Sequence, residues 1–97
     1  MPSGTPYRND ESAWLLYIVE CCDGSLYTGI TNDIDRRLKE HNDGSASRYT
    51  RSRRPVTLRY QEPCADRSQA LIRELSVKLL NRREKKALIG AAQATRT

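Results

Sequence analysis

The sequence contains no phenylalanine, and its five Tyr and one Trp make up 6% of 97 residues. A core must therefore be packed from Leu, Ile, Val and Tyr. There is room for one such core. A chain of this length buries only about 60–65% of the surface its unfolded form exposes, which excludes a second folded domain. Cysteine is scarce and odd in number: Cys21, Cys22 and the distant Cys64. Two adjacent cysteines and a third far away give neither a disulfide framework nor metal-ligand spacing, so reduced thiols are expected. No stretch approaches the roughly 20 apolar residues of a membrane span, and the N-terminus lacks the apolar run of a signal peptide. A cytoplasmic protein without a membrane partner is expected. Acidic residues are missing from Gly44 to Gln61, where Arg48, Arg51, Arg53, Arg54 and Arg59 fall. With a net charge of +5 and a pI near 9.4, this points to an anionic partner, nucleic acid before membrane. A basic surface poor in aromatics favours a monomer.

Residues 1–12 are polar, with Pro2, Gly4 and Pro6, and read as a disordered tail in which only Tyr7 could dock. Trp14 to Glu20 carries a continuous apolar run, the pattern of a strand buried on both faces or central in a sheet. Asp23-Gly24 signals a hairpin, and Ser25 to Thr31 is the returning strand. Side chains alternate between faces, so Tyr17 and Tyr27 share one only if the hairpin loop is odd. A three-residue loop, Cys22-Asp23-Gly24, is favoured over the two-residue alternative. Thr31 or Asn32 is expected to cap the next helix, with Asp33 and Asp35 in its first turn. Ile34 and Leu38 form its apolar seam, Arg37 and His41 share that side, and Arg36, Lys39 and Glu40 face away. Gly44 ends the helix, and a basic loop follows to Arg54. Val56, Leu58 and Tyr60 alternate with Thr57, Arg59 and Gln61 in a third strand. Asp66 with Gln69 caps a helix to about Leu80, its apolar stripe formed by Ala70, Leu71, Leu75, Leu79 and Leu80, with Glu74 and Lys78 on the flank. Asn81 with Glu84 caps a last helix, and residues 91–97 are expected to fray. The fold class is α+β: a small three-stranded sheet with a leading antiparallel hairpin, flanked by helices in the order β-β-α-β-α-α, over residues 13–90.

The residues Leu15-Leu16-Tyr17, Tyr27-Thr28-Gly29, Arg37 ten positions after Tyr27, His41 one turn on, and Glu74 within Ala-Leu-Ile-Arg-Glu-Leu-Ser-Val-Lys together resemble a GIY-YIG nuclease domain. The resemblance runs from Leu15 to about Ile89 and is closest to small stand-alone bacterial members. It implies a metal-dependent endonuclease acting on nucleic acid, DNA before RNA, structured or damaged, with one divalent cation, Mg²⁺ or Mn²⁺. Carried over, Glu74 is the metal ligand and Arg37 contacts the scissile phosphate. Tyr27 sits beside the nucleophilic water or acts as base, Tyr17 orients the network, and His41 assists. Gly29 would allow close approach, while Arg48, Arg51, Arg54, Lys78 and Lys85 would contact substrate. The first motif reads Leu-Leu-Tyr rather than Gly-Ile-Tyr and the second Tyr-Thr-Gly rather than Tyr-Ile-Gly, each keeping its tyrosine. Asn81, the one candidate for an asparagine that some larger relatives use, reads as a helix cap.

These residue types suit the chemistry. A hard cation takes oxygen ligands and often needs only one or two carboxylates beside waters and phosphate. Arginine's fork matches phosphate and stays charged, and histidine titrates near neutrality. Each residue also has a plain structural alternative: core tyrosines with rim hydroxyls, an Arg37–Glu74 ion pair, a histidine at a helix C-terminus, solvated lysines and arginines. At the functional level, two alternatives stand beside the enzyme: a non-catalytic nucleic-acid-binding module on the same fold, and an interaction subunit of a DNA-processing complex that takes its targeting from a protein partner.

Overall fold

Leu15–Glu20 forms β1, and its apolar run is explained by its place at the centre of the sheet. β2, Leu26–Thr31, and β3, Thr57–Pro63, flank it, both antiparallel to it, in the order β2-β1-β3. This is a computed structural model that describes residues 13–94. The expected tail with Tyr7, and residues 95–97, lie outside the described part.

The hairpin register pairs Tyr17 with Gly29 and Val19 with Tyr27, so Tyr17 and Tyr27 share a face. The Cys21 N–H donates to the Ser25 carbonyl and the Gly24 N–H to the Cys21 carbonyl, with Gly24 at φ 85°. That is the three-residue loop: a tight turn closed by a left-handed glycine. β3 holds a surprise. Leu58 opposes Val19 while Tyr60 opposes Ile18, so Arg59 is an extra, bulged residue. The bulge breaks the expected alternation and sends Leu58 and Tyr60 into different clusters on opposite faces.

One face of the sheet packs Tyr17, Val19, Cys21 and Val56 against Ile34 and Leu38 of α1, Ile34–Asp43. Asp33, not Thr31 or Asn32, caps this helix. Its carboxylate accepts the Arg36 N–H, while the Thr31 hydroxyl accepts the Asp33 N–H and so fixes the turn before the helix. Gly44 closes α1 at φ 88°. The basic loop then contains a short helix that its polar sequence conceals, α2 at Arg48–Arg51, capped by Ser47. Asn42 ties the end of α1 to the start of β3: its amide carbonyl accepts the Val56 N–H and its NH₂ donates to the Val56 carbonyl.

On the opposite face Leu16 and Ile18 meet Val77 of α3, Arg67–Lys78, and Ile89 of α4, Arg82–Ala94. Asp66 caps α3 by accepting the Gln69 N–H. Asn81 and Glu84 exchange reciprocal bonds at the start of α4. α4 continues through Gly90 to Ala94, past the expected start of fraying. The apolar stripe expected on α3 is corrected. Ala70 and Val77 are buried, while Leu71, Leu75 and Leu79 are 40%, 64% and 80% exposed. The roll of α3 is set by small Ala70 against the sheet and by Arg73, which donates two hydrogen bonds to Glu62 on β3. This roll turns Glu74 inward, so that its side chain is only 19% exposed.

Candidate active site

Tyr17 and Tyr27 reach the site because hairpin parity places both on the α1 face of the sheet. Tyr17 lies over Gly29, its partner across the hairpin. A Cβ at Gly29 would come within 2.5 Å of the Tyr17 hydroxyl oxygen and 2.7 Å of Cζ. Gly29 is buried, and its missing side chain makes room for the neighbouring Tyr17 ring.

His41, in the last turn of α1, is 1% exposed. Its Nε2 lies 2.8 Å from the Tyr17 hydroxyl and its Nδ1 2.8 Å from Thr50 Oγ1. Both tyrosine rings meet the imidazole edge-on, with centroids 5.7 Å away for Tyr17 and 5.3 Å for Tyr27. Burial, and then the charge of Arg37, lower the His41 pKa from its ordinary value, so the imidazole is neutral at neutral pH. Burial drives the Tyr17 phenol far above its ordinary value, partly opposed by Arg37 and reinforced by Tyr27 and Glu74.

The structural alternative of an Arg37–Glu74 ion pair is not what the structure shows. Arg37 Nη1 donates to Glu40 at 2.9 Å, so Glu40 turns toward Arg37 rather than away from the site. Glu74 pairs with Lys78 at 3.2 Å, one turn along its own helix. Lys85 stands near Lys78, and its pKa is lowered by burial and by that neighbouring ammonium. Glu74, Lys78 and Lys85 thus form one charged flank. Arg48 is exposed on α2. Arg51 and Arg54 line a separate recess with Asn42, Ser52 and Pro55, and Arg54 spends its donors on the carbonyls of Arg51 and Asn42. No contact brings these two to the tyrosines among the described residues. Arg59 pairs with Glu20 at 2.8 Å.

Two residues were not legible as site residues. Tyr49 stacks on Tyr27 with ring centroids 5.9 Å apart, and Arg53 lies 4.0 Å above the Tyr49 ring centroid. Thr50 is completely buried against His41. The readable signal was Ser47 three residues before Thr50, a helix cap that would have placed Thr50 on an inward turn.

A divalent cation can be tested against the donors present. Glu74 offers one carboxylate, now paired with Lys78, as a small hard-oxygen donor set. No cluster of three or more His, Cys, Asp or Glu occurs among the described residues. Such a set fits Mg²⁺ or Mn²⁺, which keep water and phosphate in most positions, rather than a thiolate–imidazole metal. Among the described residues no helix is long and apolar enough to cross a membrane.

A UPF0213 protein of Desulfotalea psychrophila is 53% identical over 87 residues, spanning 89% of this chain and 79% of the relative. One from Halobacterium salinarum is 49% identical over 73 residues, spanning 75% and 95%. The solution NMR structure of the UPF0213 protein BH0048 from Bacillus halodurans superimposes with a TM-score of 0.53 at 42% identity, over 80% of this chain and 83% of that one. Residues 13–87 match the GIY-YIG catalytic domain, and the chain belongs to that family.

Proposed function

We propose that this protein is a metal-dependent endonuclease that hydrolyses phosphodiester bonds in nucleic acid, DNA before RNA. One observation carries the reading: Tyr17 and Tyr27, from two strands, both meet the ring of buried His41, with Arg37 one turn earlier on the same helix. A structural ion pair or a lone core tyrosine would not need that convergence.

In the proposed reaction a water oxygen forms a bond to phosphorus, the bond to the leaving sugar oxygen breaks, and that oxygen takes a proton from solvent. Tyr17 takes the water proton on its oxygen as its own proton passes to His41 Nε2. Tyr27 lines the same pocket and holds the water in place. Arg37 keeps Nη1 on Glu40 and has its remaining N–H groups for the non-bridging oxygens. A cation held by Glu74 would supply neutralisation of charge developing on the phosphate. Lys78, released from Glu74 in that state, and Lys85 face the flanking backbone.

The test uses Glu74→Gln, which keeps size and removes the charge. Structured DNA with Mg²⁺ or Mn²⁺ should be cut by the wild type and at least about 100-fold more slowly by the variant, the scale on which loss of one charge-stabilising group acts. Equal cleavage by both would refute the reading. Salt-sensitive binding without cleavage by either would support the non-catalytic binding module instead.

A further inference from the structure

Thr50 is 0% exposed although the other three residues of α2 face solvent. A buried hydroxyl is costly unless bonded, and this one is bonded on two sides. Its Oγ1 lies 2.8 Å from His41 Nδ1 and 3.2 Å from Ser47 Oγ. With the 2.8 Å contact between His41 Nε2 and the Tyr17 hydroxyl, four side chains form one line from α2 to the central strand: Ser47, Thr50, His41, Tyr17.

Counting protons gives this line a direction. Tyr17 is 2% exposed and its hydroxyl keeps its proton. Arg37, which also acts on that oxygen, can only donate. Among the described residues the acceptor in hydrogen-bonding reach is His41 Nε2. The imidazole is neutral, so if Nε2 accepts, Nδ1 carries the proton and donates to Thr50 Oγ1. The Thr50 hydroxyl then donates to Ser47 Oγ, whose second lone pair takes the Thr50 backbone N–H at 3.1 Å. Every buried donor in the line is satisfied in this arrangement. The reverse tautomer leaves the Tyr17 hydroxyl proton without a protein acceptor among the described residues.

We infer that Thr50 is a positioning residue that holds His41 in its Nδ1-protonated tautomer, with the bare Nε2 aimed at the Tyr17 hydroxyl. Its catalytic consequence rests on the nuclease reading. The Tyr17 O–H bond points inward, its oxygen lone pairs are left for the cleft, and the proton leaving Tyr17 has a ready acceptor. The imidazolium that forms is steadied by its Nδ1–H bond to Thr50. This is the logic by which a third group orients a histidine base in other hydrolases.

The sequence contains a single histidine, so a long-range ¹H–¹⁵N spectrum of the untagged chain reads one imidazole. The wild type should show a protonated Nδ1 and a bare Nε2. Thr50→Val keeps the volume and removes the acceptor. It should move the ring toward the Nε2-protonated form, with kcat lower by about tenfold to a hundredfold, the usual loss when a histidine's orienting partner is removed, and KM within about twofold. Thr50→Ser restores the hydroxyl and should restore both the spectrum and kcat, which separates positioning from a packing defect. A wild-type ring protonated on Nε2, or a Thr50→Val ring unchanged from wild type, would overturn the assignment. The spectrum requires no cleavage. An inactive wild type with the assigned tautomer would therefore sink the nuclease reading and leave the role of Thr50 in place.

Discussion

His41 is neutral because it is buried and because Arg37 stands nearer in effect than Glu40: burial and the guanidinium lower its pKa, and the carboxylate only partly offsets them. This makes stability depend on pH in a defined direction. Above about pH 6.5 the histidine is neutral in folded and unfolded chains alike, and its contribution is fully present. As pH falls below that value the unfolded chain takes a proton that the folded chain refuses. Stability then drops by at most about 1.4 kcal/mol per pH unit until the lowered folded pKa is reached. Urea unfolding of the wild type and His41→Gln between pH 8 and 5 measures this. The wild type should lose stability relative to the variant as pH falls through 6.5, and a constant difference across the range would show that the imidazole is not held neutral by the fold. At this scale much of the site was legible. Tyr17, Tyr27, Arg37 and His41 are polar residues at inward positions, and an inward polar residue calls for a partner; Glu74 came from the family resemblance, since its expected stripe was not the buried face. Thr50 was hidden because threonine in an arginine-rich loop carries no pattern; its burial exists only once α2 folds back onto α1.

Elements were readable where a local rule sets them and unreadable where two elements negotiate. The hairpin loop, the Gly44 stop and the caps at Asp66 and Asn81 follow from turn and cap chemistry within a few residues. The roll of α3 does not. Its leucines form a continuous stripe, yet Leu75 and Leu79 face solvent because close packing of Ala70 and the paired bonds from Arg73 to Glu62 hold another face to the sheet. The bulge at Arg59 was equally invisible, since it arises from register against β1. The pairing of Tyr17 with Gly29 is a property of the hairpin as a whole, and it yields a test. Gly29→Ala places a methyl 2.5 Å from the Tyr17 hydroxyl oxygen and 2.7 and 3.0 Å from two of its ring carbons. The ring is buried and cannot swing away freely, so overpacking should destabilise the protein by about 1–3 kcal/mol and shift the Tyr17–His41 bond. Equilibrium denaturation within about 0.5 kcal/mol of wild type would mean that the hairpin absorbs the methyl and that glycine is not required there.

For the whole molecule the net charge of +5 is a poor guide to which cations meet a substrate, because several are already engaged. Arg53 is held by Asp23 and the Tyr49 carbonyl, Arg54 by two backbone carbonyls, Arg59 by Glu20 and Arg73 by Glu62. Arg48 and Arg51 are exposed and carry no ion pair among the described residues. They sit on α2, the helix that also presents Tyr49 to Tyr27 and Thr50 to His41. Counterion release turns this into a number. Each duplex phosphate neutralised adds about 0.9 to the slope of log affinity against log salt. Arg48→Gln with Arg51→Gln, in a Glu74→Gln background that binds without cutting, should flatten the slope by about 1.8 if each arginine contacts one phosphate. Arg59→Gln, which only frees Glu20, should leave the slope within about 0.3 of its starting value. Titrations of labelled duplex between 50 and 200 mM salt decide it. An equal slope before and after the double substitution would place the nucleic-acid track elsewhere, on the Lys78 and Lys85 flank of the cleft.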